Sequence, residues 1–282
     1  MIRFKPAFCL LILGLIFTPV VADEDIFKIG VEALDNKDYY FAVACFNDVL
    51  QQDSKNVRAY NLRGLAYQGR RNWESAIKDF SEVIRVDPKF PDPYMNRGNV
   101  YVEKKDFKKA IEDYTRAINL DSKNALAYIN RGNAYKQLKD KKAFEDFATA
   151  IRLTPHDPRP YLDRAKAYVD DKDYERAIQD FDAVTRFDAK NPKPFLGRGE
   201  VYAQKMHYEK AIGEYSEAIR LDPRNPQGYL KRSEIYRKKG DLNKSFEDSM
   251  KSWELFPESL PIFQDYSPIG DFPYYDDPPP SR

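Results

Sequence analysis

Six arginines carry the most regular chemistry in the chain. Arg63, Arg97, Arg164, Arg198 and Arg232 are each followed sixteen residues later by an acid: Asp79, Asp113, Asp180, Glu214 and Asp248. Arg131 is followed by Asp146 fifteen residues on. A guanidinium presents a planar fork of N–H donors that matches the two oxygens of a carboxylate. The arginines could instead take an anionic ligand, but an acid at fixed spacing accompanies each one. The pairing is therefore read as a bridge inside the fold, one that sets register more than it adds net stability. A second group is Asn96, Asn99, Asn130 and Asn133. A carboxamide both donates and accepts hydrogen bonds, so spaced asparagines suit the backbone of an extended ligand, although solvated helix surfaces also carry them. A third is basic: Lys231, Arg237 and Lys238, against Glu234.

Reactive constellations are missing. There is no Walker pattern, no CxxC, no HExxH and no GxSxG. The two histidines, His156 and His207, fall at a repeat boundary and in a mid-repeat turn, where solvated residues are the rule. Asn243-Lys244-Ser245 fits a glycosylation sequon, but Ser245 occupies a helix-packing position. No enzyme, cofactor or metal is expected. With 46 Lys+Arg against 45 Asp+Glu, the chain lacks the basic excess of a generic nucleic-acid binder. Aromatics at 14% are too many for a disordered chain, and two cysteines give no disulfide framework.

The elements that position these residues repeat. From Asp23 to Ser259 the chain copies itself seven times with a period of 34 residues. The repeats are 23–56, 57–90, 91–124, 125–157, 158–191, 192–225 and 226–259, the fourth being one residue short between Asp140 and Ala143. Each predicts two amphipathic helices around a central turn. In the first helix, an aromatic at repeat position 4 (Tyr60, Tyr94), a small residue at 8 (Gly64, Gly98) and Tyr at 11 (Tyr67, Tyr101) share one face. In the second, Ala at 20 (Ala76, Ala110) and an aromatic at 24 (Phe80, Tyr114) do the same. Small positions let the helices approach, and large rings fill the volume beside them. The arginine and its acid stand at positions 7 and 23; the first repeat lacks both, having Ile29 and Cys45. Cys45 is expected to be a buried, inert hydrophobe.

This pattern resembles the tetratricopeptide repeat over all of residues 23–259. The resemblance implies an all-α fold, a right-handed α-solenoid of seven helix-turn-helix repeats with the first helices lining a concave face. It implies an interaction module and not a catalyst. The usual position 7 residue of that family is Leu, so the six arginines are a departure. With the family's geometry, Asn96, Asn99, Asn130 and Asn133 face the groove, as do Lys231, Arg237 and Lys238 of the seventh repeat. Members that clamp a C-terminal carboxylate use Lys, Asn and Arg across three repeats; Asn99, Asn130 and Arg159 match. Met95 and Asp163 replace two of the cations, which removes most of the charge-assisted recognition. The seventh repeat's second helix, with Ser249 and Ser252, is expected to be a polar terminal cap.

Two flanks complete the chain. Arg3 and Lys5, the apolar run Ala7–Phe17 and the small residues Val20 and Ala22 fit a signal peptide over 1–22, with an uncleaved anchor as the alternative. The protein is thus expected to be exported: periplasmic or secreted if bacterial, otherwise lumenal, with a membrane involved only through that anchor. Residues 260–282 are rich in proline, aromatics and acid, and part of 260–277 is expected to pack back on the seventh repeat. The function expected is a scaffold or adaptor that binds a protein or an extended peptide in its groove, with no nucleic acid. The alternative is a structural subunit whose groove holds its own tail and which acts by its outer surface or by oligomerisation. The first test is the mature terminus: intact mass of the exported protein should correspond to a chain beginning at Asp23. A mass that retains Arg3 and Lys5 would make the segment an anchor.

Overall fold

The structure, a computed structural model, describes residues 23–256. The expected signal segment and the tail lie outside them. The described residues form fourteen α-helices and no strand: α1 Asp23–Asp35, α2 Tyr39–Gln52, α3 Val57–Gly69, α4 Trp73–Val86, α5 Asp92–Glu103, α6 Phe107–Leu120, α7 Ala125–Gln137, α8 Lys142–Leu153, α9 Pro158–Asp170, α10 Tyr174–Phe187, α11 Lys193–Gln204, α12 Tyr208–Leu221, α13 Pro226–Lys239 and α14 Leu242–Leu255. None of them is long and apolar enough to cross a membrane. They fall into two compact units, divided after Lys142. Within each unit a first helix packs on its own second helix, and that second helix packs on the next first helix.

The central turn is built the same way each time. A residue with positive φ stands at repeat position 15: Lys37, Arg71, Lys105, Lys139, Lys172 and Met206 lie between 55° and 60°, and Gly240 at 82°. This left-handed step lets the next backbone N–H reach back five residues, as in Asp106 N to Tyr101 O at 2.8 Å, which closes the first helix. The following side chain then caps the second helix: Asp106 accepts from Lys109 N, and Asn72, Asp173 and Asp241 act alike. His207 holds that position before α12 and makes no side-chain cap. The short fourth repeat absorbs its missing residue at the start of α8, which has 12 residues where α6 and α10 have 14.

Inside each of the first six repeats the core is one ring against one small residue. Phe46, Phe80, Tyr114, Phe147, Phe181 and Tyr215 are all at most 2% exposed. A Cβ on Gly98 would stand 2.7 Å from the Tyr114 ring, and one on Gly199 would stand 2.4 Å from the Tyr215 ring, closer than carbon atoms approach. Glycine is therefore what brings the paired helices together at these positions. Cys45 is buried, and burial with nearby Asp48 pushes its thiol above its ordinary pKa, which keeps it protonated and inert.

The seventh repeat corrects one expectation. Its second helix α14 is no polar cap: Leu242, Phe246 and Trp253 are 62%, 61% and 43% exposed. The serines meant to supply the polar surface turn inward instead. Ser252 is fully buried, and its hydroxyl has no hydrogen-bond partner. It stands where other repeats have Val83, Ala117 or Val184.

Two substitutions should therefore stabilise the fold in urea or thermal melts. His207→Asp restores the missing cap and should add about 0.5–2 kcal/mol. Ser252→Ala removes a buried hydroxyl without a partner and should add about 1 kcal/mol.

Candidate binding grooves of the first helices

The arginines turn inward and frame the site. Arg97 donates from Nε and Nη2 to the two carboxylate oxygens of Asp113 at 2.8 and 2.7 Å, with Asp113 4% exposed. Arg63–Asp79, Arg164–Asp180 and Arg232–Asp248 repeat this two-pronged contact at 2.7–2.8 Å. Arg198 meets one oxygen of Glu214 from both nitrogens, at 3.0 and 2.8 Å. The hydrogen bonds that Arg97 donates to the Asp113 carboxylate hold its guanidinium above its already high pKa. Arg131 and Asp146 fall on opposite sides of the unit boundary, and their pairing remains a proposal from the sequence.

The remaining nitrogen makes a contact the sequence pattern did not reveal. Nη1 of Arg63, Arg97, Arg131, Arg198 and Arg232 donates to Asn47, Ser81, Thr115, Asp182 and Ser216, at 2.5–3.0 Å. These acceptors stand at position 25 of the preceding repeat, sixteen residues before the arginine. Ser81, Thr115 and Ser216 pass the bond on, donating their hydroxyls to the carbonyls of Ile77, Ile111 and Ile212. One arginine thus ties its own second helix to the previous one. Arginines committed this way are not available to a ligand.

With position 7 turned inward, positions 9, 12 and 13 of the first helices face a groove. In the first unit it encloses about 670 Å³ and is lined from three successive first helices: Gln68 of α3, Asn99 and Glu103 of α5, and Asn130, Asn133 and Gln137 of α7. Phe107 and Tyr114 of α6 form part of its wall. The amides are linked to one another. Asn130 donates to Asn99 Oδ1 at 3.1 Å, and the Tyr114 hydroxyl donates to the same oxygen at 2.7 Å. Burial, then Asp113, pushes the Tyr114 phenol above its ordinary pKa, so it stays a donor. Asn96 sits outside this lining and donates to Asn61 at 3.3 Å.

The second unit holds a different groove of about 370 Å³, with Leu162, Val169, Phe181 and Leu196 among lysines 166, 193 and 231 and the acids Asp170 and Glu200. Gly197 opens this floor, since a Cβ there would meet the Phe181 ring at 2.2 Å. Lys231 is the one member of the expected basic group in the lining, 3.6 Å from Glu234. Arg237 and Lys238 are exposed in the last turn of α13, outside it. Arg159 folds back on Asp157 at 2.7 Å, so it does not offer the free guanidinium that a carboxylate clamp needs.

Tandem helix pairs, most with a large ring packed on a small residue, and successive first helices lining a groove define an α-solenoid of interaction repeats. The chain belongs to the tetratricopeptide repeat family. Sequence families described as "TPR repeat" match residues 72–105, 98–139 and 207–240, and "Tetratricopeptide repeat" matches 141–192. The fold is similar to that of a tetratricopeptide repeat protein from Parabacteroides merdae, at 16% identity over 84% of this chain and 94% of that one, with a TM-score of 0.71. It is also similar to the C-terminal part of a repeat protein from Cytophaga hutchinsonii, at 20% identity over 82% and 96% of the chains, with a TM-score of 0.64. The Pseudomonas aeruginosa protein pilF aligns at 19% identity over 77% and 97%, with a TM-score of 0.61. These likenesses establish the fold alone. No curated protein matches the chain in sequence.

The frame is tested by a double-mutant cycle. Arg97→Met or Asp113→Leu alone should each cost about 3–5 kcal/mol in urea unfolding, because each strands a buried charge. The double variant should cost far less than the sum of the two. Additive losses would show that the pair does not act as a unit.

Proposed function

We propose that this protein is an exported interaction scaffold whose first-unit groove binds an extended polypeptide. The tetratricopeptide fold is that of a protein-interaction scaffold in general, which makes binding, and not catalysis, the expected activity. The observation that carries the proposal is the row of Asn99, Asn130, Asn133 and Gln137 beside Gln68 in one groove. Amides along successive first helices can donate to backbone carbonyls and accept from backbone N–H groups, so they read a chain by its main chain. Glu103 and Lys105 lie in the same lining with opposite charge, so the groove favours neutral polar segments over strongly charged ones. In the second unit, an apolar floor edged by lysines suits a side chain that is apolar with an acid nearby. Export rests on the N-terminal pattern of residues 1–22, and the ligand is accordingly a protein of the same compartment.

Capture from the exported fraction tests the groove. Gln68→Ala with Gln137→Ala removes two amides from the groove surface and should leave the melting temperature unchanged. Each neutral hydrogen bond contributes about 0.5–1.5 kcal/mol, so the partner should bind roughly tenfold more weakly. A captured set identical to that of the unaltered protein would sink the groove reading.

A further inference from the structure

The exposed apolar residues of α14 are not scattered. Leu242, Phe246 and Trp253 occupy repeat positions 17, 21 and 28. In earlier repeats these positions are covered by the next first helix. Tyr39, at position 17, packs so closely on α3 that a Cβ on Gly69 would stand 2.5 Å from its ring. Phe144, at position 21, stacks on Tyr168 of α9 at 4.6 Å between ring centroids. Ile219, at position 28, packs on Gly228 of α13. Val43, Leu50 and Ile118, equivalents at positions 21 and 28, are 6–8% exposed. Leu242, Phe246 and Trp253 thus form a docking face built for a following element, with larger side chains at 246 and 253 than the usual Ile. Phe256, 49% exposed, extends it to the end of α14.

We propose that the chain's own C-terminal segment covers this face as an extended strap, with Leu260, Ile262, Phe263 and Tyr266 taking the place of an eighth first helix. The face ends where the segment begins, and 26 residues follow Phe256. A helix of this length spans about 21 Å, which an extended chain retraces in about seven residues. Leu260, Ile262 and Phe263 fall within that reach, and Tyr266 follows three residues beyond it. Pro257, Pro261 and Pro268 bar a continuous helix, so the cover is a strap. Charge favours the same occupant: the segment has Glu258, Asp265 and three further aspartates against Arg282, and Arg237 and Lys238 are exposed on the adjoining α13. The strap lies on the outgoing face, so it leaves the first-helix grooves free. This assignment is independent of the groove function.

Trp253 is one of only two tryptophans, so Trp73→Phe makes it the sole emitter. Stopping the chain after Ser259 should move its emission to the red and raise acrylamide quenching. Adding Ile262→Asp with Phe263→Asp to the full-length Trp73→Phe chain should do the same. A second readout leaves Trp73 in place: maleimide labelling of Phe246→Cys in a Cys9→Ser chain, where buried Cys45 reacts slowly. Labelling should be about tenfold faster without the strap, equivalent to closure by about 1.4 kcal/mol. Unchanged Trp253 signals and unchanged labelling on truncation would overturn the strap. Shielding that survives truncation and grows with protein concentration would overturn it in favour of a second copy on the same face.

Discussion

The two-sided arginine fork is the contact on which the geometry of these repeats depends. Position 7 lies on the first helix. From there one guanidinium grips the carboxylate at position 23 of its own second helix and an acceptor at position 25 of the preceding one. Apolar interfaces are tolerant of small slides, because burial is non-directional. A planar fork with donors at 2.7–2.8 Å is not. A buried pair of this kind is close to neutral against a well-packed apolar substitute, so its effect lies in specifying register and not in adding stability. The aromatics at positions 4 and 11 flank it, as Tyr60 and Tyr67 do at 5.3 and 5.9 Å from Arg63, so the charge is enclosed by π faces as well as by its acid. With position 7 pinned inward, the rotation of each first helix is set. Positions 9, 12 and 13 then face the groove with little freedom.

Much of this was legible in the sequence, and the parts that were not share a cause. The helical hairpins, their small-against-ring cores and the two-pronged pair could be read because each position keeps one residue type across repeats. The pair was most visible where it vanished, at Ile29 and Cys45. Position 25 escaped because Asn47, Ser81, Thr115, Asp182 and Ser216 have only acceptor capacity in common, and Ala148 breaks the series. Arg164 keeps its grip on Asp180 without that acceptor, so the link to the previous repeat is an addition to the fork and not a condition for it. The left-handed turn residue was hidden for another reason: five of the seven are Lys or Arg, residues that do not advertise positive φ, and only Gly240 does. At the groove, the asparagines were visible as types. Their commitments were not, because Tyr114 reads as core and yet sends its hydroxyl to Asn99. Gln68, Glu103 and Gln137 carry no signal of their own in the sequence, because positions 12 and 13 vary from repeat to repeat.

The two ends of the repeat array solve different problems, and the residues record it. Ile29, where the fork would begin in the first repeat, is 39% exposed. An ion pair reaching such a position contributes only about 0–1 kcal/mol, since water competes for both partners. The apolar pair with Cys45 loses little there, and it spares the core an acid that a half-solvated arginine would satisfy poorly. At the other end the fork is intact, with Arg232 bound to Asp248 and to Ser216, so the seventh repeat keeps the register of those before it. What changes is the surface beyond it. A solenoid that stopped here would be expected to turn polar at positions 17, 21 and 28, because an isolated face of that size attracts other chains. Leu242, Phe246 and Trp253 do the opposite, while serines occupy the inward positions 20, 24 and 27. Inward serines weaken the packing of α14 on its own repeat, and outward aromatics strengthen its attraction for whatever lies beyond. The last helix is therefore built to be held from both sides.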